Sequence, residues 1–219
     1  MKHFFKSLLI IAICAMPALA MAQPGSCNVN YSGAKPTIKD FARAYCTQFE
    51  KGSPERQALA AITKGNFKRC VVDIKNGYVK YTSKTGGETF TFEMCYWNCD
   101  NKNEKLIGIN RVLGGSAFDE SQLEFYRYDV KNKIMNLIQA PFDREPEPID
   151  MIDRARASKQ VIDNVSTAEN EDANKFQPIF SLPRTGKNIT FRMADPNAVP
   201  KAMQRTGTLI WNGDSFNIK

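Results

Sequence analysis

Glu93 and Trp97 stand four residues apart in the run Thr89 to Trp97, where side-chain character alternates from residue to residue. Strict alternation predicts a β-strand whose successive side chains point to opposite faces. Phe90, Phe92, Met94 and Tyr96 then share one face, and Thr89, Thr91, Glu93, Cys95 and Trp97 share the other. An acid and an aromatic ring on one face form a pairing that suits a sugar. The ring can stack on it, and the carboxylate can bond its hydroxyls or act as acid or base. Glycoside hydrolysis needs a second carboxylate at a set separation, and spacing assigns Glu93 no partner. Glu93 and Trp97 are therefore candidate binding residues with no catalytic set attached. The plain alternative is a solvated sheet acid and a packed tryptophan.

Any other chemistry has to run without histidine. The sole histidine, His3, lies in a stretch built like a secretory leader: Lys2 and Lys6, then apolar Leu8 to Ala15, then small-residue sites at Ala18-Leu19-Ala20 and Ala20-Met21-Ala22. Residues 1–22 read as a signal peptide, and cleavage near Ala20 or Ala22 delivers the chain to the periplasm or the exterior. Losing His3 removes Ser-His-Asp triads, Cys-His dyads and histidine-ligated zinc together. Cys14 does not read as a lipid-anchor site, because Ile13 precedes it where that pattern takes a small residue.

Ser32-Gly33-Ala34-Lys35 and Lys84-Thr85-Gly86 match two motifs of the penicillin-recognising serine enzymes, in which a lysine helps activate the serine. The match does not hold. No S-x-N element lies between them, and Arg184-Thr185-Gly186 and Arg205-Thr206-Gly207 repeat the basic-Thr-Gly trio before other strands, as a turn signature would. Cys27, Cys46, Cys70, Cys95 and Cys99 remain after export, which favours disulfides and leaves an odd thiol. One or two bridges are expected, with connectivity open. Cys95 and Cys99 bridge each other only if the chain turns between them, since four strand residues span about 13 Å. Their spacing is neither a redox C-x-x-C nor a zinc set. The acids from Asp143 to Asp153 lack the calcium-loop pattern. No Walker or dinucleotide glycine motif occurs. The asparagine sequons at Asn30, Asn164 and Asn188 are a pattern that arises often by chance and carry little weight. No cofactor, no metal and no catalytic residue is assigned.

The elements that would hold these residues are mostly strands. Ile38, Phe41, Ala42, Tyr45, Cys46 and Phe49 recur at helical spacing over 38–51, with a Thr37/Asp40 capping box and a stop at Gly52-Ser53-Pro54. A second short helix follows, capped by Ser53 and stopped by Gly65. From Phe67 the period changes to two. Strands are expected at 70–74, 78–83, 89–97, 106–113, 123–130 and 134–138, with hairpins across Lys75-Asn76-Gly77 and Lys131-Asn132-Lys133. Residues 141–175 are acidic and proline-containing, an excursion with a helix expected over 149–165. Strands resume at 176–182, 188–193, 207–211 and 215–218, the last two joined across Asn212-Gly213. Residues 23–35 are expected to be an irregular lead-in.

The strand E-M-C-Y-W (Glu93 to Trp97) and the ending G-T-L-I-W-N-G-D-S-F (Gly207 to Phe216) resemble exported β-rich proteins of unknown function from Bacteroidetes-type bacteria. The resemblance implies a bacterial envelope setting and carries over no activity or site residue. The fold expected is mostly β (α+β): an antiparallel meander, as sandwich, barrel or partial propeller, with a short N-terminal helical pair. Residues 23–219 read as one exported domain. No stretch after the leader approaches the roughly 20 apolar residues of a transmembrane helix. Without Lys2 and Lys6 of the leader the net charge of +7 becomes +5, a modest excess that suits an anionic envelope component as partner, another protein being the alternative. No long Lys/Arg run points to nucleic acid. The function expected is non-catalytic binding in the envelope, and its alternative is a histidine-free glycan hydrolase using paired carboxylates.

Overall fold

The structure, a computed structural model, describes residues 24–65, 67–115, 118–168 and 170–219. The expected leader, with His3 and Cys14, lies outside them. Near-continuous alternation builds a seven-stranded antiparallel sheet: β1 (Ser26–Asn28), β2 (Cys70–Asp73), β3 (Tyr78–Thr85), β4 (Glu88–Asn98), β5 (Glu104–Gly114), β6 (Asp119–Asp129) and β7 (Ile134–Ile138), in the order β1-β7-β6-β5-β4-β3-β2. Five of its connections are hairpins between sequence neighbours. Gly77, with φ 65°, supplies the left-handed residue that closes the β2–β3 turn.

A four-stranded antiparallel sheet, in the order β11-β10-β9-β8, comprises β8 (Pro178–Ser181), β9 (Ile189–Met193), β10 (Gly207–Trp211) and β11 (Phe216–Ile218). The sheets stack and do not close into a barrel. Helices α1 (Ile38–Cys46) and α2 (Pro54–Lys64) cover the other face of the large sheet. The result is three layers: helices, large sheet, small sheet.

The alternation along β4 decides the two cores. Phe90, Phe92 and Met94 pack under the helices with Phe41, Tyr45, Ile107, Ile109 and Tyr128. Cys95 and Trp97 pack on the opposite face with Phe125, Phe191, Leu209 and Phe216 of the second core. A slip of one residue would exchange the two sets.

The expected fold class holds, and four local expectations need correction. The lead-in contains β1, which pairs with β7 and places Cys27 inward at 2% exposure. Three residues are too few to leave a readable period. Helix α1 ends at Cys46, because the Thr47 hydroxyl and the Gln48 amide bond the carbonyls of Arg43 and Ala44. The helix expected over 149–165 is instead a 3-10 turn, Pro148–Met151, followed by α3 (Lys159–Ser166) and α4 (Asn170–Lys175). Asp150 explains the break: it accepts from the Glu147 N–H at 2.9 Å and from Arg144, and Ile152 then bridges to Gln204.

The fourth correction concerns the cysteines. Cys27, Cys46, Cys70, Cys95 and Cys99 are all buried free thiols, so the one or two expected disulfides are not formed. The sheet separates them. Cys27, Cys46 and Cys70 lie in the core under the helices, while Cys95 and Cys99 lie in the core between the sheets. Burial, with a smaller push from Glu124, raises the Cys27 thiol to about 11. Burial also holds Cys95 well above its ordinary value.

Candidate functional site

Beyond the packed part of the sandwich, the large sheet continues past the edge of the small one. Glu93, Thr91 and Lys80 come from β4 and β3, Asp119 starts β6, and Ser181 and Arg192 come from β8 and β9. They line an open cleft of about 360 Å³. Gly87, Gly114 and Gly115 keep its mouth wide, with no side chain to fill it.

Glu93 forms the floor. Its Oε1 accepts from the Tyr78 hydroxyl at 2.9 Å and from Lys80 Nζ at 3.0 Å. Its Oε2 accepts from the Leu182 N–H at 3.2 Å and from Asn110 Nδ2 at 3.4 Å. Asn110 donates in turn to the Phe180 carbonyl at 2.8 Å, and its own carbonyl accepts from the Ser121 hydroxyl at 2.7 Å. These bonds tie β4, β5 and β6 to β8. They also satisfy a carboxylate that is only 3% exposed, without which its burial would cost several kcal/mol or more. The same burial, with the Glu93 charge beside it, raises the Tyr78 hydroxyl above its usual range.

Asp119, the other acid of the cleft, is ion-paired with Arg192. Each carboxylate therefore has a cation at its side: Lys80 for Glu93 and Arg192 for Asp119. The cleft is balanced in charge and rich in donors and acceptors.

The two sequence candidates part company here. Glu93 lines the cleft, and Trp97 does not. Trp97 is 4% exposed, its ring 5.9 Å from Trp211 and 5.2 Å from Phe216, and its Nε1 donates to the Lys187 carbonyl at 2.7 Å. It sits over Gly108, where an added Cβ would come 2.8 Å from the ring. The shared strand face was read correctly: the small sheet buries it from Glu93 to Trp97, and the cleft opens beyond Glu93, where Thr91 and Thr89 are only partly buried.

The serine–lysine motif does not assemble. Lys84 pairs with Thr89 and Lys105 with Asn98, at opposite ends of β4 and about 30 Å apart. Lys35 lies at the Lys105 end: the Lys105 ammonium is lowered by burial first and then by the Lys35 charge. Among the described residues, no group of three or more histidines, cysteines or acids is placed to hold a metal.

A second polar cluster, buried under the helices, was missed by sequence reasoning. Arg111 Nη1 bonds Glu55 at 3.1 Å, and Arg111 Nη2 bonds Glu124. The Tyr45 hydroxyl reaches Glu124 at 3.0 Å and that of Tyr126 at 3.3 Å. Burial raises the Glu124 carboxyl, and the opposing pulls of Arg111, Tyr45 and Tyr126 do not cancel it. Charges interrupting an apolar face were the available signal: Arg111 follows Ile107 and Ile109, and Glu124 precedes Tyr126 and Tyr128. Buried at 5% exposure or less, Glu55, Arg111 and Glu124 anchor α2 to the sheet.

Comparison of the chain with protein-family models, with curated proteins and with solved structures finds no match.

Proposed function

We propose that this chain is an exported, non-catalytic binding protein of the bacterial envelope, and that its cleft between the sheets takes a hydroxyl-rich ligand such as a sugar unit. One observation carries the reading. The cleft is open and polar, yet both of its acids are already engaged, Glu93 by four donors and Asp119 by Arg192. A ligand's hydroxyls can bond the outer faces of such pairs and the Thr91 and Ser181 side chains. Export rests on the leader-like first 22 residues.

The test is a panel of neutral oligosaccharides, followed by calorimetry on any that bind. Ser181→Trp, at an exposed lining position, fills the cleft and is expected to weaken binding at least about tenfold. If no oligosaccharide binds, or Ser181→Trp binds as well as wild type, the reading is wrong. Glycan hydrolysis by paired carboxylates has one observation in its favour: Glu93 and Asp119 line the same cleft. Release of reducing ends, abolished by Glu93→Gln and by Asp119→Asn separately, would replace binding with catalysis.

A further inference from the structure

Beside the cleft, at the open edge of the large sheet, a second groove of about 480 Å³ is lined by Lys68, Arg69, Val71, Lys80, Thr82 and Lys84. Its cations are arranged by the strand itself. Lys80, Thr82 and Lys84 alternate on one face of β3, which sets Lys80 and Lys84 about 13 Å apart along the strand. The turn before β2 lies abreast of Thr82, because the Thr82 N–H bonds the Arg69 carbonyl at 2.9 Å. Lys68 and Arg69 are thereby placed between the two strand lysines.

No acid lines this groove. Lys80 is paired with Glu93, but Lys68, Arg69 and Lys84 are exposed and take part in no salt bridge among the described residues. Elsewhere on the chain several exposed arginines are matched: Arg184 with Asp73, Arg144 with Asp150 and Arg192 with Asp119. Exposed lysines such as Lys102, Lys131 and Lys201 take part in no salt bridge among the described residues, so it is the grouping of cations that marks the groove. Three unmatched cations in one row keep a positive field that a bound anion would relieve.

From this geometry we infer that the groove binds a linear acidic glycan, its carboxylates or sulfates spread along β3. The row is extended and its charges sit on long flexible stems. That suits several anions in a line better than one phosphate, which calls for convergent, fixed donors. No aromatic ring lines the groove, whereas single-stranded nucleic acid is held by base stacking as well as charge. Val71 and the lysine stems supply the apolar contact that a sugar ring needs. The inference stands apart from what the cleft holds, since only Lys80 lines both.

The experiment measures binding of polygalacturonate, of neutral dextran and of oligo-dT with the same number of charges, by fluorescence anisotropy over a salt series. The wild type is expected to bind polygalacturonate with a steep salt dependence, whereas any binding of dextran should be independent of salt and removed by Ser181→Trp. The triple variant Lys68→Gln, Arg69→Gln and Lys84→Gln should weaken polygalacturonate binding about tenfold or more, and flatten its log–log salt dependence by about 2–3 as fewer counterions are released. Ser181→Trp should leave this binding unchanged, which separates the groove from the cleft. A second triple variant, Lys102→Gln, Lys131→Gln and Lys201→Gln, removes exposed charge elsewhere and should bind as wild type. Unchanged binding by the groove variant, or an equal loss in the control variant, overturns the inference. Tighter binding of oligo-dT than of polygalacturonate does so too, and assigns the groove to nucleic acid.

Discussion

Replacing Arg111 with methionine removes the one cation of the cluster under the helices and leaves Glu55 and Glu124 buried, at 0% and 4% exposure. Methionine fills much of the same space, so the loss is electrostatic and not a cavity. Removing one partner of a buried pair costs about 3–5 kcal/mol. At 1.36 kcal/mol per pKa unit, that equals roughly 2–4 units of added proton affinity within the cluster, with Glu124 foremost. The sign follows from the direction already present. The Glu124 carboxyl is raised in the folded protein above its ordinary 4.5, so the folded state holds its proton more tightly than the unfolded state does. Stability then falls as pH rises from about 4.5 through the folded value, and stays at the lower level beyond it. Arg111→Met steepens that fall. Urea denaturation at pH 4, 6 and 8 should show the variant about 3–5 kcal/mol below wild type at pH 8 and close to it at pH 4. Replacing Glu55, Arg111 and Glu124 together by Leu, Met and Leu should recover most of the deficit, because no charge is left unpaired. A deficit under about 1 kcal/mol at pH 8, or one that grows as pH falls, would refute the account.

Three further outcomes follow from the packing. Trp97→Ala should cost about 3–5 kcal/mol in the same denaturation assay, and Gly108→Ala about 1–3 kcal/mol by pushing the indole from its seat; equality with wild type in either would mean that the sheets do not stack as described. A thiol reagent should titrate Cys27, Cys46, Cys70, Cys95 and Cys99 only after unfolding, all five as free thiols, and a smaller count in the non-reduced protein would restore a disulfide. The Asp150 carboxyl is held below its ordinary 3.8: burial opposes this, and Arg144 with the Glu147 N–H outweighs it. Its contribution is therefore present above about pH 3.8 and lost as pH falls through the folded value, and Asp150→Asn should raise the rate of proteolysis within 141–157 at neutral pH without changing the rate at the β2–β3 turn.

What the sequence disclosed about this fold, and what it concealed, divides by the range of the interaction concerned. The hairpins were legible because their signals are local: Asn76-Gly77 and Asn212-Gly213 name turns, and alternation over Thr89 to Trp97 names two faces. The capping box at Thr37 and the Ser53 cap were legible for the same reason, and both are present. Which part of a face stays open was not legible. Glu93 and Trp97 look equivalent along the strand and both are buried, but only the placement of β8 to β11, some ninety residues later, sets one at the floor of a cleft and the other inside the core. The ion pairs of Arg111 with Glu55 and of Asp119 with Arg192 span 56 and 73 residues, beyond any local pattern.

The same long-range contacts explain why so many charged and polar groups are tolerated inside the molecule. Asn110 and Arg111 are consecutive residues of β5, so they point to opposite faces of the sheet. Asn110 lies directly opposite Glu93 on β4, and joins it in clasping β8. Arg111 lies opposite Phe92, and reaches Glu55 and Glu124 under the helices. One central strand thus carries two buried polar networks back to back. A hydrophobic strand shifted by two residues would still present an apolar face to each core. This one could not, because a shift by one residue would drive Arg111 between the sheets, and a shift by two would part Asn110 from Glu93 and Arg111 from both its acids. Buried polar groups placed in this way can pin the register of a long antiparallel meander, a role attested for isolated polar residues in other cores. The pin on one face is sealed under α2. The pin on the other face, Glu93, lies at the floor of the open cleft, so the residue that ties the small sheet to the large one also closes the bottom of that cleft.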